Sequence, residues 1–155
     1  MIWLYRICLL LAGGALIAVP ASPAAKAPLT LQSLRALPDP EKRADEATKF
    51  AQETVKQVAK TFHDGEVDQG KRMLADIRTA VELAYESLES TGKDARRKPK
   101  HFKRLEIATR KLAGDLSDVA KNLNFDEQPF IEPVIARVEE INGELLTAIM
   151  TKKKK

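Results

Sequence analysis

The chain has 155 residues, 26 Lys and Arg against 22 Asp and Glu, and a formal net charge of +4. It has one cysteine and two histidines, which excludes an intramolecular disulfide framework and leaves few side chains for thiolate or metal chemistry. The length suits one domain with a single core.

The N-terminus carries one cation, Arg6, and no acidic residue precedes Asp39. An apolar run spans 7–19, and Pro20-Ala-Ser-Pro-Ala-Ala25 follows. That order is the charged, apolar and small-residue pattern of a secretory signal peptide. The run is too short to cross about 30 Å of hydrocarbon, which takes about 20 helical residues. A signal peptide over 1–21 is expected, cut after Ala21, with cuts after Ala24 or Ala25 and a retained membrane anchor as the alternatives. Cys8 begins the apolar run instead of following it, which does not fit lipoprotein processing. The expected location is therefore periplasmic or secreted. Cleavage would remove Cys8, Trp3 and one cation, leaving a net charge of +3 on a chain that must be stabilised by packing alone.

Residues 22–38, rich in Pro and Ala, read as a flexible arm. Helical signals begin at Asp39-Pro40-Glu41, an N-cap followed by a proline at the first helical position and an acid. Ala47, Ala51, Val55, Val58 and Phe62 mark the apolar face of this first segment, and Gly65 ends it. Val67, Gly70, Leu74, Ile77, Val81, Ala84 and Leu88 then alternate steps of three and four, a coiled-coil pattern closed by Gly92. Pro99 opens a third helix with the seam Phe102, Leu105, Ala108, Leu112, Leu116, Val119 and Leu123. Pro129 opens a fourth, with Val134, Val138, Ile141, Leu145 and Ala148 on one face and Pro133 in its first turns.

No segment has strand alternation. Four matched amphipathic helices with short connections predict an all-α domain over 39–151, an antiparallel up-down-up-down four-helix bundle, with a basic tail at 152–155. A tetratricopeptide reading of the hairpin at 63–68 fails because its 34-residue period does not recur.

No motif for catalysis, cofactor or metal emerges, and the expectation is a protein that is not an enzyme and holds neither. The residues three before His63 and His101 are Lys60 and Lys98, where a di-iron bundle site needs glutamates. There is no glycine-rich phosphate loop. The turn His63-Asp-Gly-Glu-Val-Asp68 lacks the alternating acids of a calcium loop and reads as a helix stop followed by a helix start.

The informative feature is where positive charge collects. Lys93, Arg96, Arg97, Lys98, Lys100, Lys103 and Arg104 lie within twelve residues against one acid, Asp94, and the chain ends Lys152, Lys153, Lys154, Lys155. In the expected bundle both segments fall at one end, opposite Asp64, Glu66, Asp68, Asp126 and Glu127. These eleven cations are the candidate anion-binding residues. Lys98, Lys100, Lys103 and Arg104 crowd a helix N-terminus, where positive charge is disfavoured, and a local rule broken repeatedly in one place points to function. The expected partner is an anionic membrane surface, an envelope polymer or an acidic protein. Nucleic acid is not expected, because only Phe102 lies among these cations to stack on a base. The competing expectations are a periplasmic chaperone or adaptor that holds clients in an apolar helical groove, and a solubilising role for the charges. The expected state is a monomer or weak self-association, basic end to acidic end.

The stretch Pro99-Lys-His-Phe-Lys-Arg-Leu-Glu-Ile107, with Phe125-Asp126, Pro129 and Leu145-Leu-Thr-Ala-Ile-Met150, resembles an uncharacterised family of exported, all-helical bacterial proteins. The resemblance covers about 40–150 and implies export and helicity. It carries over no activity, ligand or site residue.

Overall fold

The computed structural model describes residues 29–151. The expected signal peptide, the first part of the expected arm and the tail at 152–155 lie outside the described residues. Among the described residues five helices follow one another: α1 (Leu31–Arg35), α2 (Pro40–His63), α3 (Val67–Ser90), α4 (Lys100–Lys121) and α5 (Gln128–Met150). There is no strand among the described residues, so the chain is all-helical there. No helix among them is long and apolar enough to cross a membrane.

Local chemistry accounts for the helix ends. The Asp39 side chain accepts from the Glu41 and Lys42 amides, and Pro40 occupies the first turn of α2. Gly65 has φ +80° and forms a Schellman stop. Its N–H reaches the Phe62 carbonyl at 2.9 Å, and the Glu66 N–H reaches the Thr61 carbonyl at 3.1 Å. At the end of α3, Gly92 has φ +62° and the Thr91 hydroxyl donates to the Leu88 carbonyl at 2.6 Å. Helix α4 starts differently. Pro99 precedes it, no side chain caps its amides, and its first turn holds no acid. Helix α5 runs on through Pro133.

The apolar seams meet in a single cluster of buried residues. Helix α2 contributes small side chains (Ala44, Ala47, Ala51), then Val55, Val58 and Phe62. These face the larger Leu74, Ile77, Val81 and Leu88 of α3, and the α2–α3 pair is the most extensive helix contact. Small residues on one helix let two backbones approach toward the short end of the usual 8–10 Å spacing. Helix α4 packs mainly on α5, α2 also packs on α4, and α3 on α5. Helices α3 and α4, consecutive in the chain, meet only marginally, and α2 and α5 do not approach closely.

The stretch expected as a flexible arm is corrected over its second half. A reciprocal Thr30–Ser33 capping box starts α1. Leu34 is fully buried, and the partly buried Leu29, Leu31 and Leu37 pack against the same core. Arg43 of α2 secures the segment by donating to the Leu37 carbonyl at 2.9 Å and to the Ser87 hydroxyl at 2.8 Å. Composition obscured this, since the prolines and alanines of 22–38 outnumber the four leucines that do the packing.

The α4–α5 contact carries a polar seam. The Asn142 amide donates to the Glu106 carbonyl at 2.7 Å and to the Thr109 hydroxyl at 2.9 Å, while Arg110 pairs with the buried Glu106 carboxylate at 2.8 Å. Every buried polar group of this seam has a partner, as burial requires.

Candidate functional site

Two helix ends and one connection build the basic region. After α3, Asp94 folds the connection by accepting from the Arg96 amide at 2.9 Å and the Arg97 amide at 3.4 Å. Ala95 is buried and pins the turn to the core, while Arg96, Arg97 and Lys98 stay exposed. The uncapped start of α4 adds Lys100 and Lys103, also exposed. A hollow of about 230 Å³ opens beside them, lined by Glu89, Lys93, Asp94, Phe102, Thr147 and Thr151 among others. The end of α3, the start of α4 and the end of α5 therefore meet at this end of the molecule.

The seven cations of 93–104 are not equivalent. Lys93 pairs with Glu41 of α2, and the Arg104 guanidinium pairs with Asp45 at 2.5 Å. Between these two contacts lies His101, its Nε2 3.4 Å from Glu41 and its Nδ1 3.9 Å from Asp45. The Nδ1 atom is buried without a hydrogen-bond partner. The acidic first turns of α2 thus offset part of the charge that crowds the start of α4. Sequence reading missed Glu41, Asp45 and His101. The signal was present as an acid pair four apart on α2 and a His101/Arg104 pair three apart on α4, but only the α2–α4 packing brings them together. Among the described residues, Arg96, Arg97, Lys98, Lys100 and Lys103 have no ion pair. Lys152, Lys153, Lys154 and Lys155 lie outside the described residues.

The Lys93 ammonium holds the Glu41 carboxyl below its ordinary value, with desolvation working against it and His101 adding to the lowering. A carboxyl lowered on folding contributes stability above its unfolded value and loses it as pH falls through the lower folded one. The Glu41 contribution is therefore expected to fade on the acid side of its ordinary value of about 4.5. Carboxyl-detected NMR titration should show Glu41 titrating low, and Lys93→Gln should return it toward the ordinary value. A Glu41 titration unchanged by Lys93→Gln would contradict the pairing.

Beside the same contacts, a groove of about 400 Å³ runs between α2 and α4. Ala44, Leu88, Leu105 and Ala108 line it, and Ile107, 60 % exposed, stands at its edge. Lys49, Arg104 and Lys111 line it as well. Elsewhere, burial and the Glu144 and Glu89 carboxylates push the Tyr85 phenol up from its ordinary value. No cluster of three or more His, Cys, Asp or Glu side chains among the described residues could hold a metal ion.

At the other end, Lys56 and Ala59 of α2 share a groove with Asp118 and Asn122 of α4, and the Lys71 ammonium lies 4.0 Å from the centre of the Phe130 ring. Asp64 is paired with Lys60 at 2.6 Å, and Asp118 with Lys121 at 2.8 Å. Glu66, Asp68 and Asp126 are exposed there. Phe125, just beyond α4, is 85 % exposed. No family model, characterised protein or solved structure matches this chain.

Proposed function

We propose that the protein is an exported, non-enzymatic helical binding module whose basic end contacts an anionic envelope component, such as phospholipid headgroups. The observation that carries this reading is the set Arg96, Arg97, Lys98, Lys100 and Lys103. All five are exposed and, among the described residues, without an ion pair, and Lys98, Lys100 and Lys103 stand at a helix start whose dipole disfavours them. In this reading the four long helices form an up-down-up-down bundle. The contacts of Lys93 and His101 with Glu41 support it, as does the shared hollow of α3, α4 and α5. Thr151 lines that hollow.

Each basic residue near an anionic leaflet contributes about 1 kcal/mol. Replacing Arg96, Arg97, Lys98 and Lys100 with Gln is therefore expected to weaken binding to phosphatidylglycerol-containing vesicles by about a hundredfold or more. Deleting 152–155 should act in the same direction. Binding should also fall steeply from low to physiological salt, while neutral vesicles show none. Sedimentation at two salt concentrations measures all of this. If both variants sediment like wild type, the basic end serves solubility and the reading is rejected.

The α2–α4 groove favours a second reading, an adaptor that holds an apolar client segment against Ile107, Leu105 and Ala108. Client binding of that kind would persist at high salt and be lost in Ile107→Asp.

A further inference from the structure

We infer that the protein self-associates head to tail, with Phe125 of one copy entering the hollow at the basic end of the next. Two phenylalanines at the far end differ sharply in exposure. Phe130 is 38 % exposed and lies under the Lys71 ammonium, whereas Phe125 is 85 % exposed and has no ring or cation contact among the described residues. Its position is set by a tight turn. The Glu127 N–H reaches the Asn124 carbonyl at 2.9 Å, and the Glu127 carboxylate accepts from the Asn124 amide at 3.0 Å. Leu123, buried, anchors the turn to the core. A ring held outward by a fixed turn meets a partner surface with little ordering cost.

The basic end offers the complement. A cavity of about 150 Å³ lined by apolar side chains holds a benzene molecule. The hollow of about 230 Å³, with Ala95, Phe102 and Ala148 in its lining, therefore has room for a phenyl ring. Charge complements on both sides. Asp126, exposed, sits beside Phe125, and Arg96, Arg97 and Lys98 belong to the connection that forms the hollow's edge. Two acids also line the hollow, but each is engaged. Asp94 accepts from backbone amides, and Glu89 faces the Tyr85 phenol. Knob and hollow sit at opposite ends of α4, about 33 Å apart for 22 residues at about 1.5 Å each. A single copy cannot satisfy both, and the contact is heterologous, so it propagates into open chains or closed rings.

This inference goes beyond the anionic-surface reading, and Phe125→Ala separates the two because Phe125 lies away from the basic end. Sedimentation velocity of the purified protein at low salt should show species that grow with concentration and shrink at physiological salt. Phe125→Ala should weaken association at least tenfold while keeping wild-type vesicle binding. Thr147→Trp, an exposed substitution that fills the hollow, should weaken it comparably with an unchanged helical spectrum. The decisive sample mixes these two variants. Phe125→Ala keeps its hollow and Thr147→Trp keeps its knob, so the mixture should form one-to-one dimers that grow no further. A wild-type protein monomeric up to about 1 mM at low salt overturns the inference. So does a mixture that stays monomeric, or a Phe125→Ala protein that associates like wild type. Loss of vesicle binding with self-association intact would reject only the anionic-surface reading.

Discussion

Leu34→Ala is expected to lower the unfolding free energy by about 2–5 kcal/mol, the range for truncating a fully buried leucine. Leu34 has no exposed surface, and α1 packs on both α2 and α3. A leucine in a flexible arm would behave as an exposed residue, and its loss would stay within about 0.5 kcal/mol. Urea unfolding of wild type and variant distinguishes the two outcomes directly. Hydrogen exchange adds a local reading. The Leu34 amide is bonded to the Thr30 carbonyl at 3.0 Å and the Leu37 amide to the Leu34 carbonyl at 3.1 Å, so both should be protected in wild type and lose protection in the variant. A change near zero would mean that α1 contributes nothing to the fold.

The second large effect belongs to Phe62 and Gly70, which meet where α2 turns into α3. Phe62 is buried, and a Cβ at Gly70 would lie 2.5 Å from its Cε2, 2.7 Å from Cζ and 2.8 Å from Cδ2. The ring thus occupies the space that a side chain at position 70 would need. Phe62→Ala should cost about 3–5 kcal/mol. Gly70→Ala gains up to about 1 kcal/mol of helix propensity but overpacks the ring at a cost of about 1–3 kcal/mol, so it should be neutral to destabilising. Gly114 and Gly143 are internal controls, with nothing within 4 Å of an added Cβ. Gly114→Ala and Gly143→Ala should each stabilise by up to about 1 kcal/mol. Combining Gly70→Ala with Phe62→Leu should cost less than the two changes summed, because the smaller side chain vacates the contested space. If Gly70→Ala stabilises as much as Gly114→Ala, the close packing is wrong.

The four long helices were legible because their signals are local. Asp39-Pro40, Gly65, Gly92, Pro99 and Pro129 act within one turn of chain, and the three-four spacing of apolar residues marks the buried face without reference to a partner. The apolar positions from Ala47 to Phe62 and from Leu74 to Leu88 are buried as that spacing requires. The cations of 93–104 were visible as a cluster for the same reason, since their proximity is covalent. Which of them remain unpaired was not visible.

That distinction depends on which helices become neighbours, and neighbour choice is decided by the fit of all faces at once. The alanine seam of α2 takes α3 closely, and α2 then lies against α4 as well, although 36 residues of chain separate them. Only this packing sets Glu41 and Asp45 beside Lys93, His101 and Arg104 and leaves Arg96, Arg97, Lys98, Lys100 and Lys103 open. The same is true of α1, whose five residues are too few to be stable alone and fold because Leu34 finds a site on α2 and α3. Local sequence thus determined the four long helices and the position of the charge cluster along the chain. The tertiary structure decided which charges are offset, which ring stays in water and where a hollow forms, because those depend on side chains distant in sequence competing for the same space.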